Sequence, residues 1–236
     1  MTLEIDFKTI KNELISIKDL IHGRLDEIKK LRSKVSFKTD GSPVTHSDIF
    51  IQEFVTKKLE DFFGDVIVLS EEKCNSSFSI DNLSGYTAVL DPIDGTENFY
   101  SGLKEWGVAL SIWYKSNHVI SMLLLPELNQ WIITGDMIET FNSRIYGFSS
   151  STNQELLEGI ASHRESRITG CSVYNLYNVI TGSFREFVNP KGAYIWDILP
   201  GLQLALEHGC TVKVNGKDYD GQFLNPNQKY RIKINR

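Results

Sequence analysis

Residues 87–99 run Thr87-Ala88-Val89-Leu90-Asp91-Pro92-Ile93-Asp94-Gly95-Thr96-Glu97-Asn98-Phe99, an apolar segment that ends on two aspartates three positions apart. A short apolar run bounded by turn residues reads as a buried strand. Asp91 stands at its end, Pro92 fixes the exit and Asp94 follows in the turn. A fold that buries this strand must bring its end to a place where two carboxylates can share one pocket. Gly95 lets a ligand approach the backbone, and the Gly95 and Thr96 amides can meet an anion if a helix starts there. The same string also reads as a plain acidic turn, because Asp, Pro and Gly are turn formers.

The sequence changes period around this string. Between residues 4 and 34, Ile10, Leu14, Ile17, Ile21, Leu25 and Ile28 recur at helical spacing, which predicts one or two amphipathic helices. Asp40-Gly41-Ser42-Pro43 is a turn signal, and Ile51, Val55, Leu59 and Phe62 mark a further helix closed by Gly64. Segments 66–69, 87–90, 106–114, 118–125 and 130–134 read as strands, the last three as an antiparallel meander. Residues 141–153 are rich in Ser, Asn and Gly and read as a loop dividing residues 1–140 from 141–236. The second half offers a helix at 171–182, a strand at 184–188, a helix at 198–208 stopped by Gly209, and a strand at 230–234.

Three more acidic strings sit where apolar elements end: Leu69-Ser70-Glu71-Glu72, Thr45-His46-Ser47-Asp48 and Trp196-Asp197. Each has an ordinary structural reading. The first is a solvated loop start, the second a capping box with Thr45 as N-cap and Asp48 at N3, and the third an N-cap at Asp197 with Pro200 in the first helical turn. What these separate readings leave aside is that site residues are placed at such element ends.

The 236 residues carry 25 Lys and Arg against 30 Asp and Glu, and the resulting net charge of −5 argues against a polymeric nucleic acid as partner. With 41% hydrophobic and 23% charged residues, general disorder is excluded. The N-terminal residues lack the apolar region of a signal peptide, and the apolar run 119–125 is far short of a membrane span. Cys74, Cys171 and Cys210 are too few and scattered for a disulfide framework or a zinc site, so a reducing, cytoplasmic setting is the expectation.

Taken together, Gly41-Ser42-Pro43-Val44-Thr45-His46-Ser47-Asp48, Ser70-Glu71-Glu72, the Asp91–Phe99 string and Trp196-Asp197 resemble, in order and spacing, the inositol monophosphatase superfamily of metal-dependent phosphatases. That superfamily includes 3'(2'),5'-bisphosphate nucleotidases, histidinol-phosphate phosphatases and some fructose bisphosphatases. The resemblance covers most of residues 38–210 and implies an α+β fold, an alternating αβαβα layered sandwich. It implies that Glu71, Asp91 and the Ile93 carbonyl hold one Mg²⁺, that Asp91, Asp94 and Asp197 hold a second, and that a weaker third ion lies near Glu71. Oxygen ligands suit such hard cations, and carboxylates converging in a cleft need cations or protons to offset their repulsion. By the same resemblance Thr96 and Asp48 position the attacking water with Glu71 beside them, while Asp94, Gly95 and Thr96 meet the substrate phosphate.

The sequence also departs from the family pattern. Only 43 residues separate Pro126 from Gly170, so the C-terminal half reads as shortened, and Arg236 follows the last strand without the final helix of many relatives. Ile198-Leu199-Pro200-Gly201 replaces small residues after the Trp-Asp pair, and Pro190, beside Asn189, stands where inositol monophosphatases place a hydroxyl-binding glutamate. Ser162-His163-Arg164 resembles a bisphosphate nucleotidase segment that meets a second phosphate, and also reads as a solvated loop. Asn98 and residues 102–106 lean toward inositol or histidinol phosphatases, and Gly170, Cys171 and Ser172 fall where relatives use backbone amides near substrate. The expectation is a Mg²⁺-dependent phosphomonoesterase with two or three ions, acting on a small phosphorylated polyol or sugar, homodimeric and away from membranes. A bisphosphate nucleotidase or histidinol-phosphate phosphatase is the enzymatic alternative. The reading from another class is a catalytically silent relative that binds metal and a phosphorylated ligand.

Overall fold

The computed structural model describes residues 5–37, 41, 43–73, 83–150 and 153–236; Asp40 and Ser42 of the expected turn, and Cys74, lie outside them. Helices α1 (Phe7–Gly23) and α2 (Leu25–Leu31) carry the predicted stripe, with Ile10, Leu14, Ile17, Ile21 and Ile28 buried. Asp6 caps α1 by accepting from the Thr9 N–H at 3.1 Å. A short hairpin, β1 (Val35–Phe37) and β2 (Pro43–Thr45), leads into α3 (His46–Phe63), whose first turn is the capping box read from the sequence.

Strands β3 (Val66–Ser70) and β4 (Tyr86–Asp94) pair in parallel. A one-turn 3₁₀ segment, Glu71–Lys73, follows β3, and α4 (Thr96–Tyr100) follows β4. The chain then forms the expected antiparallel meander, β5 (Gly107–Tyr114), β6 (Asn117–Leu125) and β7 (Gln130–Ile133), in a sheet ordered β3-β4-β5-β6-β7. Both faces of this sheet are covered. Ala88, Leu90, Leu110 and Met122 pack with the side chains of α1 to α3, while Val89, Ala109, Trp113 and Leu123 join a cluster with residues beyond 170. Burial on both faces is why its central strands are continuous apolar runs.

The remaining elements are β8 (Tyr146–Phe148), α5 (Gln154–Ser162), β9 (Ser166–Ile168), α6 (Ser172–Ile180), β10 (Glu186–Ala193), α7 (Ile195–Glu207), β11 (Thr211–Val214), β12 (Lys217–Asp218) and β13 (Tyr230–Asn235). Their strands form a second sheet ordered β12-β11-β13-β10-β8-β9. Helices α6 and α7 lie between the sheets, where Val173, Leu176 and Leu199 share one cluster with Val89 of the first and Phe187 and Ile232 of the second. On the far side of the second sheet, Gly159 of α5 sits against the Phe148 ring. The layers therefore alternate α, β, α, β, α. Among the described residues, no helix is long and apolar enough to cross a membrane.

Three boundaries differ from expectation. The segment 141–153 contains β8, a strand too short to show periodicity, held in parallel register by β10 on one side and β9 on the other. The strand expected at 184–188 runs from Glu186 to Ala193; Phe184 packs its ring over Gly147 instead, and a bulge between Asn189 and Ala193 accommodates Pro190 and Gly192. Helix α7 begins at Ile195 with Tyr194 as its N-cap residue, so Asp197 is not the N-cap but the N3 residue, and Pro200 lies in the second turn.

Candidate active site

The end of β4 carries the densest chemistry. Pairing with β5 is regular to Asp91, shifts register, and resumes at Asp94, so the irregularity at Pro92 and Ile93 re-aims both aspartates. Asp91 is fully buried; one carboxylate oxygen accepts from the Ile93 N–H at 3.1 Å, and its Oδ2 has no hydrogen-bond donor. Because β3 pairs in parallel with β4, Ser70 lies opposite Leu90 and Glu71 opens beside Asp91. Asp197 arrives from the first turn of α7, where its Oδ2 accepts from the Tyr194 N–H at 2.8 Å. Carboxylate oxygens of Glu71, Asp91 and Asp197 lie within 4.8 Å of one another.

This crowding shows in the acidities. Burial, and then the charges of Glu71, Asp94 and Asp197, hold the Asp91 carboxyl well above the ordinary range. Burial followed by Asp94 and Glu71 pushes Asp197 up to about 8. Burial raises Asp94 to about 6, opposed by bonds from the Cys171 thiol and the Val173 N–H. An oxygen-only donor set with an orphaned buried carboxylate oxygen suits hard divalent cations such as Mg²⁺.

Next to this cluster, the Thr96 hydroxyl lies 2.9 Å from the Ile93 carbonyl oxygen and 3.3 Å from Asp48 Oδ1. Asp48 Oδ2 accepts from the Thr45 N–H at 2.8 Å and the Thr45 hydroxyl at 2.5 Å, and burial raises its carboxyl to about 6. Gly95 adopts φ +78°, and a Cβ there would stand 2.8 Å from Cys171 Cβ. Only glycine lets the β4 turn approach the start of α6 this closely. Asn98 holds the same junction from the other side, its amide donating to the carbonyls of Glu105 at 2.7 Å and Thr169 at 2.6 Å. Beside Asp94 and Asp197 opens a cavity of about 190 Å³, bordered by Ser149, Ser172, Asn175, Asn189 and Lys229 among others.

The sequence model of the inositol monophosphatase family matches residues 8–147, more than half of the chain. The chain belongs to the inositol monophosphatase family. The 3'(2'),5'-bisphosphate nucleotidase CysQ of Haemophilus influenzae is 31% identical over 118 residues, covering 50% of this chain but only 44% of that protein. A fructose-1,6-bisphosphatase/inositol-1-monophosphatase of Thermotoga maritima is 26% identical over 228 residues, with 87% and 81% covered. The fold superposes on a crystal structure described as an IMPase/NADP phosphatase complexed with NADP and Ca²⁺ at a TM-score of 0.83, covering 98% of this chain and 92% of that one at 18% identity.

Against the residues that the family resemblance implied, Glu71, Asp91 and Asp197 converge directly, and Asp94, Thr96, Asp48 and the Ile93 carbonyl adjoin them. Gly95, Cys171 and Ser172 lie at the junction with α6, the last two bordering the cavity. His163 and Arg164 are not brought there. They border a separate cavity of about 420 Å³ with Arg144, Tyr146, Glu165 and Arg185, and the His163 ring lies 3.6 Å from that of Tyr146. Strands β8 and β9 explain the separation: both run from this second cavity toward the first, ending near Ser149 and Gly170. Ser149, Asn175 and Lys229 had no motif to mark them. Ser149 lies in a segment that reads as a connecting loop, and Lys229 in the turn-rich stretch before β13.

Proposed function

We propose that this inositol monophosphatase family member is a Mg²⁺-dependent phosphomonoesterase for a small phosphorylated polyol or sugar. The observation that carries this reading is the convergence of Glu71, Asp91 and Asp197 oxygens around the donorless Asp91 Oδ2. Two or three Mg²⁺ ions held by Glu71, Asp91, the Ile93 carbonyl, Asp94 and Asp197 would supply charge neutralisation of the phosphate and acidification of a water. The chain's own contribution is position. With its hydrogen directed to Ile93 O or Asp48 Oδ1, the Thr96 hydroxyl keeps lone pairs to accept from a water, and Asp48 Oδ1 can take up a proton from that network. The Gly95 and Thr96 amides, at the start of α4, would serve as donors for phosphate oxygens.

A bisphosphate nucleotide is the second substrate reading, favoured by the 31% identity to CysQ. Phosphate release from inositol 1-phosphate, histidinol phosphate, adenosine 3',5'-bisphosphate and fructose 1,6-bisphosphate, with Mg²⁺ and with chelator, tests the proposal. Release that persists in chelator overturns the metal-dependent reading. Tight ligand binding with no turnover across the panel points to the catalytically silent relative. A homodimer in the cytoplasm completes the proposal, and light scattering of the purified protein checks the dimer.

A further inference from the structure

Lys229 differs from the cations of β11 and β13. On the neighbouring strands Lys213, Arg231 and Lys233 are each paired with a carboxylate, Asp218, Glu155 and Glu186 respectively. The Lys229 ammonium instead lies 4.8 Å from the centre of the Tyr194 ring, which is itself stacked on Trp196 at 4.8 Å. A neutral ring steadies an ammonium only weakly at an exposed site and brings no opposite charge to it. Lys229 also borders the cavity beside Asp94 and Asp197.

The backbone is shaped to bring it there. Between Asn189, opposite Ile232, and Ala193, opposite Tyr230, β10 carries extra residues that bulge away from β13. Asn189 Oδ1 closes the bulge by accepting from the Gly192 N–H at 3.0 Å. Gly192 has φ +95°, and a Cβ there would lie 3.3 Å from Lys229 Cβ, so the glycine permits the close approach of residue 229. At about 190 Å³ the cavity is smaller than the roughly 300–1,000 Å³ of ordinary ligand pockets. A substrate larger than the cavity, with its scissile phosphate at the carboxylates, would reach the exposed Lys229 on its border. Among the described residues bordering the cavity, the acids are Asp94 and Asp197, both part of the carboxylate cluster, and the rest of the lining is neutral apart from Lys229.

We propose that Lys229 is a specificity-determining residue whose ammonium pairs with a second phosphate group on the same small substrate. This rests on the phosphatase reading and deepens it: among small phosphorylated sugars and nucleotides, those that carry a second phosphate are preferred.

The test compares ligands matched except for that group, adenosine 3',5'-bisphosphate with adenosine 3'-monophosphate, and fructose 1,6-bisphosphate with fructose 1-phosphate. Binding is measured by calorimetry with Ca²⁺ present, and phosphate release separately with Mg²⁺, for the native chain, Lys229→Met and Lys229→Arg. A charge-assisted bond predicts a bisphosphate preference of about tenfold or more in Kd, mostly lost in Lys229→Met and restored in Lys229→Arg. In turnover the same loss should fall on KM for the bisphosphates more than on kcat. Absence of binding, absence of a preference, or a preference that survives Lys229→Met overturns the proposal. A Lys229-dependent binding preference without phosphate release upholds Lys229 and overturns the phosphatase reading, whereas release with no preference does the reverse.

Discussion

Cys171 Sγ lies 2.8 Å from Asp94 Oδ2, and the Val173 N–H donates to the same oxygen at 2.5 Å. Burial, and then the adjacent Asp94 charge, hold the thiol's pKa well above its usual value, so the sulfur is a neutral donor and not a nucleophile. Its bond favours the ionised form of Asp94, the form a cation needs. Cys171→Ala should raise the Mg²⁺ concentration for half-maximal phosphate release about tenfold at pH 6.5, with Cys171→Ser within about threefold of the native chain. Equal Mg²⁺ dependence in the alanine and serine variants would count against this role.

Asp91 couples activity and stability in opposite directions. Asp91→Asn keeps the side-chain volume and removes a buried charge that neighbouring carboxylates repel. Phosphate release should fall at least about a thousandfold, while the melting temperature in chelator should rise. A simultaneous loss of stability would show that Asp91 is held by structure alone.

The acidities set a pH dependence with a definite sign. Asp91, Asp94 and Asp197 have folded-state pKa values raised above their unfolded values, the last to about 8. The folded chain then binds more protons than the unfolded chain between about pH 4 and pH 8, and stability falls as pH rises through that window. Thermal melts in chelator should show a lower melting temperature at pH 8 than at pH 5.5, and Mg²⁺ should stabilise more at pH 8. A chelated melting temperature that climbs over this range contradicts the assignment.

Gly95 and Gly64 share a positive φ but not surroundings. Gly64 has φ +74° with nothing within 4 Å of a built Cβ, whereas at Gly95 the Cβ meets Cys171 and the Glu105 carbonyl. Gly64→Ala, at φ +74° and ψ −90°, should cost about 1–3 kcal/mol, the backbone strain alone. Gly95→Ala should cost roughly 2–4 kcal/mol and depress turnover as well. Urea denaturation alongside phosphate release separates the two variants.

Much of the first half was legible because period and caps agree there. The stripe through Ile10, Leu14, Ile17 and Ile21, and the Thr45–Asp48 box, are local signals that packing did not override. The second half was harder to read because its strands depend on partners. Three residues of β8 become a strand only between β9 and β10, and the Pro190-Lys191-Gly192 bulge conceals that β10 continues to Ala193. The carboxylates were found through a motif, since each stands in contiguous sequence at an element end. The cavity wall was not, because Ser149 follows β8, Asn189 lies at the bulge inside β10 and Lys229 precedes β13, and only the sheet order assembles them. The same order explains why a basic string such as His163-Arg164 gives no hint of which end of a strand it occupies.

The carboxylate cluster takes Glu71 and Asp91 from the first sheet and Asp197 from a helix roughly a hundred residues later. During synthesis at about 5–20 residues per second, Asp91 is made some 5–20 s before Asp197 exists. The nascent N-terminal half thus carries an incomplete set of ligands, and a cation captured early would be held by fewer oxygens than the finished protein offers. A cation site at this cluster is complete only once α7 has docked, so ion affinity would report on whether the two halves of the chain have joined.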